Sequence, residues 1–239
     1  MTYSMIKTPM VDLVKKASHS LAKNGLQADG KGGVKVRLVL DHSGSMKPWY
    51  RAGAVQRLTE QVLGLASALD DDGTIETWYF GTGVSRAHEV SLKSTEEDSY
   101  YVGWVDRTHT SQPWGTTNYP AGLVAPVDFQ RYANEDEPAL VIFQTDGGPN
   151  DRELANLALR QLSGDKTFFA FVVFGREDDI HPWSAAEYMK SLDTLDGRVR
   201  DNASVFFTGE LDKYETLSDE ELYDGVLREF VKSWLPQVL

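Results

Sequence analysis

At 239 residues, with 41% hydrophobic, 11% aromatic and 25% charged side chains, the chain has ordinary globular composition and enough length for one large core. It has no cysteine, which excludes disulfide staples, thiolate metal sites and cysteine nucleophiles and fits a reducing compartment. Asp and Glu outnumber Lys and Arg by 36 to 24; the formal charge of −12 has the wrong sign for binding nucleic acid but leaves room for carboxylates gathered around a cation.

The start, MTYSMIKTPMVDLVKKASHS, lacks the apolar stretch and cleavage site of a secretory signal, and no apolar run approaches the ~20 residues that cross a bilayer. The expectation is a cytoplasmic chain with no membrane span. Val11 to Asn24 is amphipathic and closed by Gly25, so it reads as a helix in an N-terminal extension, residues 1–33, packed on a single domain, residues 34–239. Val34 to Leu40 is the first strand. Val55, Leu58, Val62, Leu65 and Leu69 then mark the buried stripe of a helix beginning near Tyr50, which ends at Asp70-Asp71-Asp72-Gly73 before a strand at Thr74 to Phe80.

Ala87 to Leu92 alternates as a short edge strand, and Glu96 to Val105 reads as a helix interrupted by Gly103. A helix over Tyr119 to Tyr132 precedes a buried strand, Ala139 to Thr145. Asn150 followed by Glu153 predicts an N-cap, and the helix it opens carries Leu154, Leu157, Ala158 and Leu162 on one side. Phe168 to Phe174 is the most apolar strand and is expected at the centre of the sheet. A helix around Trp183 to Leu192, a strand around Ser204 to Phe207, and a helix opened by Ser218 and Glu221 with Leu222, Val226, Phe230 and Trp234 buried complete the series. Strands alternating with helices predict a three-layer, doubly wound α/β fold: a mostly parallel sheet flanked by helices, with one short antiparallel edge strand.

In such a sheet the loops leaving the carboxyl ends of the strands share one edge, so residues distant in sequence meet there. Three of these loops are rich in small oxygen ligands. Asp41-His42-Ser43-Gly44-Ser45-Met46 follows the first strand, Asp146-Gly147-Gly148 follows Ala139 to Thr145, and Trp114-Gly115-Thr116-Thr117-Asn118 lies between them. Hydroxyls with two carboxylates suit a hard divalent cation such as Mg²⁺. Any one Asp-x-Ser is ordinarily a turn or a cap; three such loops on one edge favour a site.

These segments resemble the von Willebrand factor A (vWA) domain with a metal-ion-dependent adhesion site, whose pattern is Asp-x-Ser-x-Ser, a later Thr and a later Asp. The resemblance spans about Val34 to Trp234. Ser-Leu-Ala-Lys-Asn-Gly-Leu with Gly-Thr-Thr-Asn-Tyr is similar to the bacterial vWA proteins associated with tellurium resistance and related stress operons. What the resemblance implies is a metal (Mg²⁺, or another divalent cation such as Mn²⁺ or Ca²⁺) held by Asp41, Ser43, Ser45, a threonine and Asp146. Those relatives have Gly-Gly-Thr-Asn where this chain has Gly115-Thr116-Thr117-Asn118; alignment on Asn118 makes Thr117 the ligand, with Thr116 in the place of a glycine. The resemblance further implies a non-catalytic interaction module that takes an Asp or Glu of a protein partner, or of another copy of itself, onto the metal.

Trp49, Trp114 and Trp183, with Asn118 and Tyr119 beside the loops, form an expected partner-binding rim, with at least two of the tryptophans exposed as a collar; the alternative is that they pack as core. A Mg²⁺-dependent phosphotransfer or phosphatase enzyme using Asp41 is the competing class. It lacks the second Asp two residues on that would serve as general acid, since Ser43 stands there. Neither Ser43 nor Ser45 lies in Gly-x-Ser-x-Gly, so a serine hydrolase fits less well.

Overall fold

The computed structural model describes residues 8–27, 33–70, 73–93, 98–179 and 185–239. Six strands make one sheet: β1 (Lys35–Asp41), β2 (Thr74–Phe80), β3 (His88–Ser91), β4 (Ala139–Thr145), β5 (Thr167–Val173) and β6 (Ala203–Phe207), in the order β3-β2-β1-β4-β5-β6. Every neighbouring pair is parallel except β2 and β3, which are antiparallel. The fold is therefore the three-layer, doubly wound α/β arrangement, with the short antiparallel strand at its edge.

Alternation along the strands divides the core in two. Val36, Leu38 and Leu40 of β1 face one cluster with α1 (Met10–Asn24), α3 (Ala54–Leu69) and α9 (Asp219–Glu229). Val39 faces the other, with α5 (Tyr119–Ala133), α6 (Arg152–Leu162) and α7 (Ala186–Asp193). Helix α3 is buried on nearly all sides because α1 lies across it; a Cβ at Gly64 would stand 2.8 Å from that of Leu13. Asp219 ties these helices together, accepting from Lys16 Nζ at 2.8 Å and Gln61 Nε2 at 2.8 Å. Gly25 (φ 99°) closes α1 in the left-handed conformation, and Ser218 with Glu221 forms a complete capping box at α9.

Local readings change at four places. The helix expected from Tyr50 is split into α2 (Lys47–Arg51) and α3, because Gly53 takes φ 79° between them. The helix expected over Glu96 to Val105 instead starts after Gly103 as α4 (Trp104–Thr108); left-handed Gly103 begins the helix instead of interrupting it, and residues 94–97 lie outside the described ones. Asp151, not Asn150, caps α6, accepting from Leu154 N–H. That cap sets the phase of α6 so that Ala155, Ala158, Leu159 and Leu162 are buried, while Leu154 and Leu157 are exposed.

At the amino end of β6, Asp193, Asp201 and Glu229 crowd together, faced by Arg198, whose guanidinium lies 2.6 Å from Asp201. Burial, then the charges of Asp193 and Asp201, push Glu229 up to about 8. Folding therefore raises its proton affinity, and the stability this confers is full below the usual glutamate range and lost as pH rises through about 8. Glu229→Gln is expected to flatten the decline in Tm between about pH 5 and pH 9. Equal slopes for the two proteins in thermal melts would contradict it.

Candidate metal centre

β1 and β4 lie side by side, Leu40 opposite Gln144, so both chains leave the sheet at the same point. After Asp41 the backbone stays extended at Ser43 (φ −77°, ψ 163°) and then tightens into a 3₁₀ turn, Gly44–Met46. This folds three side chains over one spot. Asp41 is buried, and its carboxylate accepts Ser43 N–H at 2.7 Å and the Thr145 hydroxyl at 2.7 Å. The Ser43 and Ser45 hydroxyls are 3.1 Å apart, and the Ser45 hydroxyl donates to Asp146 Oδ1 at 2.9 Å.

The third loop is fastened to this pair by main-chain bonds. Gly115 N–H donates to His42 O at 3.0 Å, and Gly44 N–H to Gly115 O at 3.2 Å. Only glycine fits at 115, since a Cβ there would meet Thr82 N at 2.4 Å. The Thr116 hydroxyl and the Asn118 amide both turn to Thr82, at 3.3 and 2.9 Å. Thr117, between them, bonds to the Asp146 side of the site: Asn150 N–H donates to Thr117 O at 3.0 Å, and Thr117 N–H to Asn150 Oδ1 at 3.3 Å.

Burial and then the nearby Asp146 charge push Asp41 up to about 7, against the hydrogen bonds from Ser43 and Thr145. Burial also raises Asp146, partly offset by the Ser45 hydroxyl. Two carboxylates drawn out of water side by side are the setting in which a cation favours both charged forms. Among the described residues no group of three or more His, Cys, Asp or Glu side chains is placed to hold a metal. The side chains expected to act as ligands are instead two carboxylates with serine and threonine hydroxyls, all oxygen. That set fits a hard divalent cation and does not fit a soft one.

Residues 33–238 match the vWA-TerF-like family, described as the vWA found in the TerF C terminus. The chain belongs to this vWA family. It is 33% identical over 211 residues, 85% of its length and 78% of the other's, to the uncharacterized protein YcbR of Bacillus subtilis (strain 168). Among solved structures it is similar in fold to the manganese-loaded TRAP protein of Plasmodium vivax, with TM-score 0.50, 18% identity, and 80% and 73% of the two chains covered. A von Willebrand factor type A structure from Catenulispora acidiphila gives TM-score 0.53 and 18% identity, covering 84% of this chain and 42% of that one.

Around the centre of this vWA domain the expected aromatic collar does not form among the described residues. Trp49 is 7% exposed, packed on Phe174 at 4.7 Å between ring centroids, and Tyr119 is fully buried, its hydroxyl donating to Gly147 O at 2.5 Å. Both belong to helices whose inner faces cover the sheet, so proximity to the loops in sequence did not bring exposure. Trp114 alone of the three expected tryptophans is seen exposed, at 38%, stacked on the His42 ring at 3.8 Å. Trp183 lies outside the described residues. Burial pushes His42 down to about 4, so it is a neutral ring that wedges the Asp41 loop against Tyr50 and Tyr79.

Two residues of the site, Thr145 and Asn150, escaped the sequence reading. Thr145 holds Asp41, Asn150 holds the Thr117 loop, and Tyr50 donates to Asp41 O at 3.0 Å. Thr145 had a signal, since it is the polar last residue of an otherwise apolar strand; Asn150 was masked by its resemblance to an N-cap. The packing predicts opposite outcomes at the two tryptophans. Trp49→Ala should lose ~3–5 kcal/mol in denaturant unfolding, whereas Trp114→Ala should stay within ~1 kcal/mol of the parent. Equal losses would contradict the assignment of Trp49 to the core.

Proposed function

We propose that this vWA domain, residues 34–239, is a divalent-cation-dependent protein-interaction module with no catalytic function of its own. Asp41, Ser43, Ser45, Thr117 and Asp146 would hold Mg²⁺, or Mn²⁺ or Ca²⁺, and an Asp or Glu of a protein partner would complete the coordination. The observation that carries this reading is the run of side-chain contacts from Ser43 to Ser45 to Asp146, at 3.1 and 2.9 Å, beside the buried Asp41. When bound, the cation supplies the local positive charge that lets an acidic domain engage an acidic group. Thr145 and Ser43 N–H fix the Asp41 carboxylate, and the Asn150 bonds fix Thr117 against the Asp146 loop. Thr117 is favoured over Thr116, whose hydroxyl is engaged by Thr82.

The manganese-loaded TRAP protein, similar in fold, supports a divalent ion. A phosphatase reading is disfavoured because Ser43 occupies the position of the needed acid. The family match to the TerF vWA supports a place in a bacterial tellurium-resistance-like stress system. We place the module in the cytoplasm, with residues 1–33 as an N-terminal extension whose helix α1 packs on α3 and α9. Among the described residues no helix is long and apolar enough to cross a membrane.

Calorimetric titration with Mg²⁺ tests the site. Ser43→Ala, Thr117→Ala and Asp146→Ala should each weaken Mg²⁺ at least ~10-fold, Thr116→Ala should leave it unchanged, and Thr145→Val should cost ~10-fold by freeing Asp41. An acetylated Gly-Asp-Gly amide peptide should bind only with Mg²⁺ present. Unchanged Mg²⁺ affinity in both the Ser43 and Asp146 variants would remove the mechanism.

A further inference from the structure

The sheet ends at β6, and the pattern of its bonds shows which groups face outward. Phe169 N–H donates to Asn202 O at 2.9 Å and Thr208 N–H to Val173 O at 2.9 Å, so the even-numbered residues turn their main chain toward β5. In a parallel ladder the alternate residues turn the other way. Ala203, Val205 and Phe207 thus point N–H and C=O away from the sheet. Ala203 is buried, whereas Val205 and Phe207 are half-buried, and among the described residues no main-chain partner reaches their outer side.

Native sheets blunt such edges with charge, proline, bulges or brevity. The opposite edge uses brevity, with four residues in β3 and both His88 and Glu89 on them. β6 reads Ala-Ser-Val-Phe-Phe, without charge or proline. Beside it runs a cavity of about 680 Å³, lined by residues 204–209 in unbroken succession, by Asp193 at the end of α7, by Lys213 of α8 (Leu211–Thr216) and by one side of α9 from Glu221 to Glu229. At ~3.3 Å per residue positions 204–208 offer ~13 Å of edge, the length of a short added strand.

Charge selects the occupant. Acidic residues outnumber basic ones six to three around this cavity, and at its amino end Asp193 and Glu229, with Asp201 behind them, face one guanidinium, Arg198, already paired with Asp201. Burial and crowding hold the Glu229 proton in the free protein, so an arriving cation would displace it and relieve the like-charge crowding. A second copy of the chain would bring the same cluster and a net charge of −12 to meet it.

We propose that the outer edge of β6 receives an extended, lysine- or arginine-bearing segment of a protein partner as a seventh strand, bonded to the main chain of Val205 and Phe207 with its cations toward Asp193 and Glu229. This surface lies outside the metal centre and does not depend on it. Main-chain bonding supplies affinity without sequence preference, and the acidic end supplies the selection.

The test uses the full chain, labelled with ¹⁵N, and two decapeptides: Ac-Thr-Lys-Val-Thr-Val-Lys-Val-Thr-Lys-Thr-NH₂ and the same peptide with Glu for Lys. The lysine peptide should shift the Val205 and Phe207 amide resonances and slow their hydrogen exchange at least ~10-fold, and the glutamate peptide should do neither. Val205→Pro removes an outward N–H without touching the bonds to β5 and should abolish both effects. If that variant fails to fold, Asp193→Asn combined with Glu229→Gln provides the second arm and should weaken the lysine peptide ~10-fold. Equal response to both peptides, or none at Val205 and Phe207, overturns the proposal. Protection of those amides without peptide, with a doubled mass in light scattering, assigns the edge to a second copy and also overturns it.

Discussion

The pairing of β1 with β4 is the constraint on which the candidate centre depends. The strand order reverses there: the chain leaves β1 toward β2 on one side, and leaves β4 toward β5 on the other. The two departing loops diverge and open a crevice at the carboxyl ends of the strands. With Leu40 opposite Gln144, Asp41 and Thr145 end their strands together, and the Thr145 hydroxyl spans them at 2.7 Å. Gln144 reinforces the register by accepting Asp41 N–H at 3.3 Å. A slip by one residue would turn Val36, Leu38 and Leu40 to the wrong core and separate the two acids, so the apolar alternation that builds the core also positions the site.

That positioning has an electrostatic cost. Asp41 is fully buried, and the charge of Asp146 adds to burial in making it harder to ionise. Two donors at 2.7 Å offset part of the desolvation of Asp41. A single neutral hydrogen bond is worth ~1 kcal/mol net, less than removing a charged group from water costs, so the bonds orient the carboxylate more than they stabilise it. Under the proposed function a bound cation would offset that cost, which the bare fold carries. The supports around the centre are rigid: His42 stacks on Trp114, Tyr50 holds Asp41 O, and Gly115 fits where no side chain could.

Strand and helix order was legible in the sequence because the apolar periods of β1, β4, β5, α3 and α9 are long and agree with their caps. The Asp41 to Ser45 loop, Asp146 and the intervening threonine loop were legible because strand exits in a parallel sheet converge whatever lies between them. Details set by single backbone angles were not. Gly53 and Gly103 take positive φ and shift helix boundaries, a property that a glycine in a sequence does not announce. Asn150 and Asp151 are both good caps, and only the Thr117 main chain decides that Asn150 is used elsewhere. Trp49 and Trp114 flank equivalent loops, yet one, carried by α2, packs inward on Phe174 and the other lies on His42. Which of two aromatic rings is buried depends on tertiary neighbours that neither ring's local sequence contains.

The charge of −12 acts differently at the two ends of the sheet. At the carboxyl end an acidic group can be engaged only through a cation that reverses the local sign, and the domain's own charge opposes the approach. That opposition reaches only ~8 Å at physiological ionic strength, whereas coordination acts at bond length, so it slows encounter more than it weakens the complex. At the amino end of β6 the cluster of Asp193, Asp201 and Glu229 would take a cation with no metal between, the cation displacing the proton that crowding holds there, and the same net charge would assist the approach of a basic segment. If both proposals hold, the two edges would select opposite charges and respond oppositely to ionic strength: raising salt would relieve the repulsion at one and screen the attraction at the other. One acidic surface would in this way hold two partners apart in kind, because the sign each one meets is set locally and not by the sum over the chain.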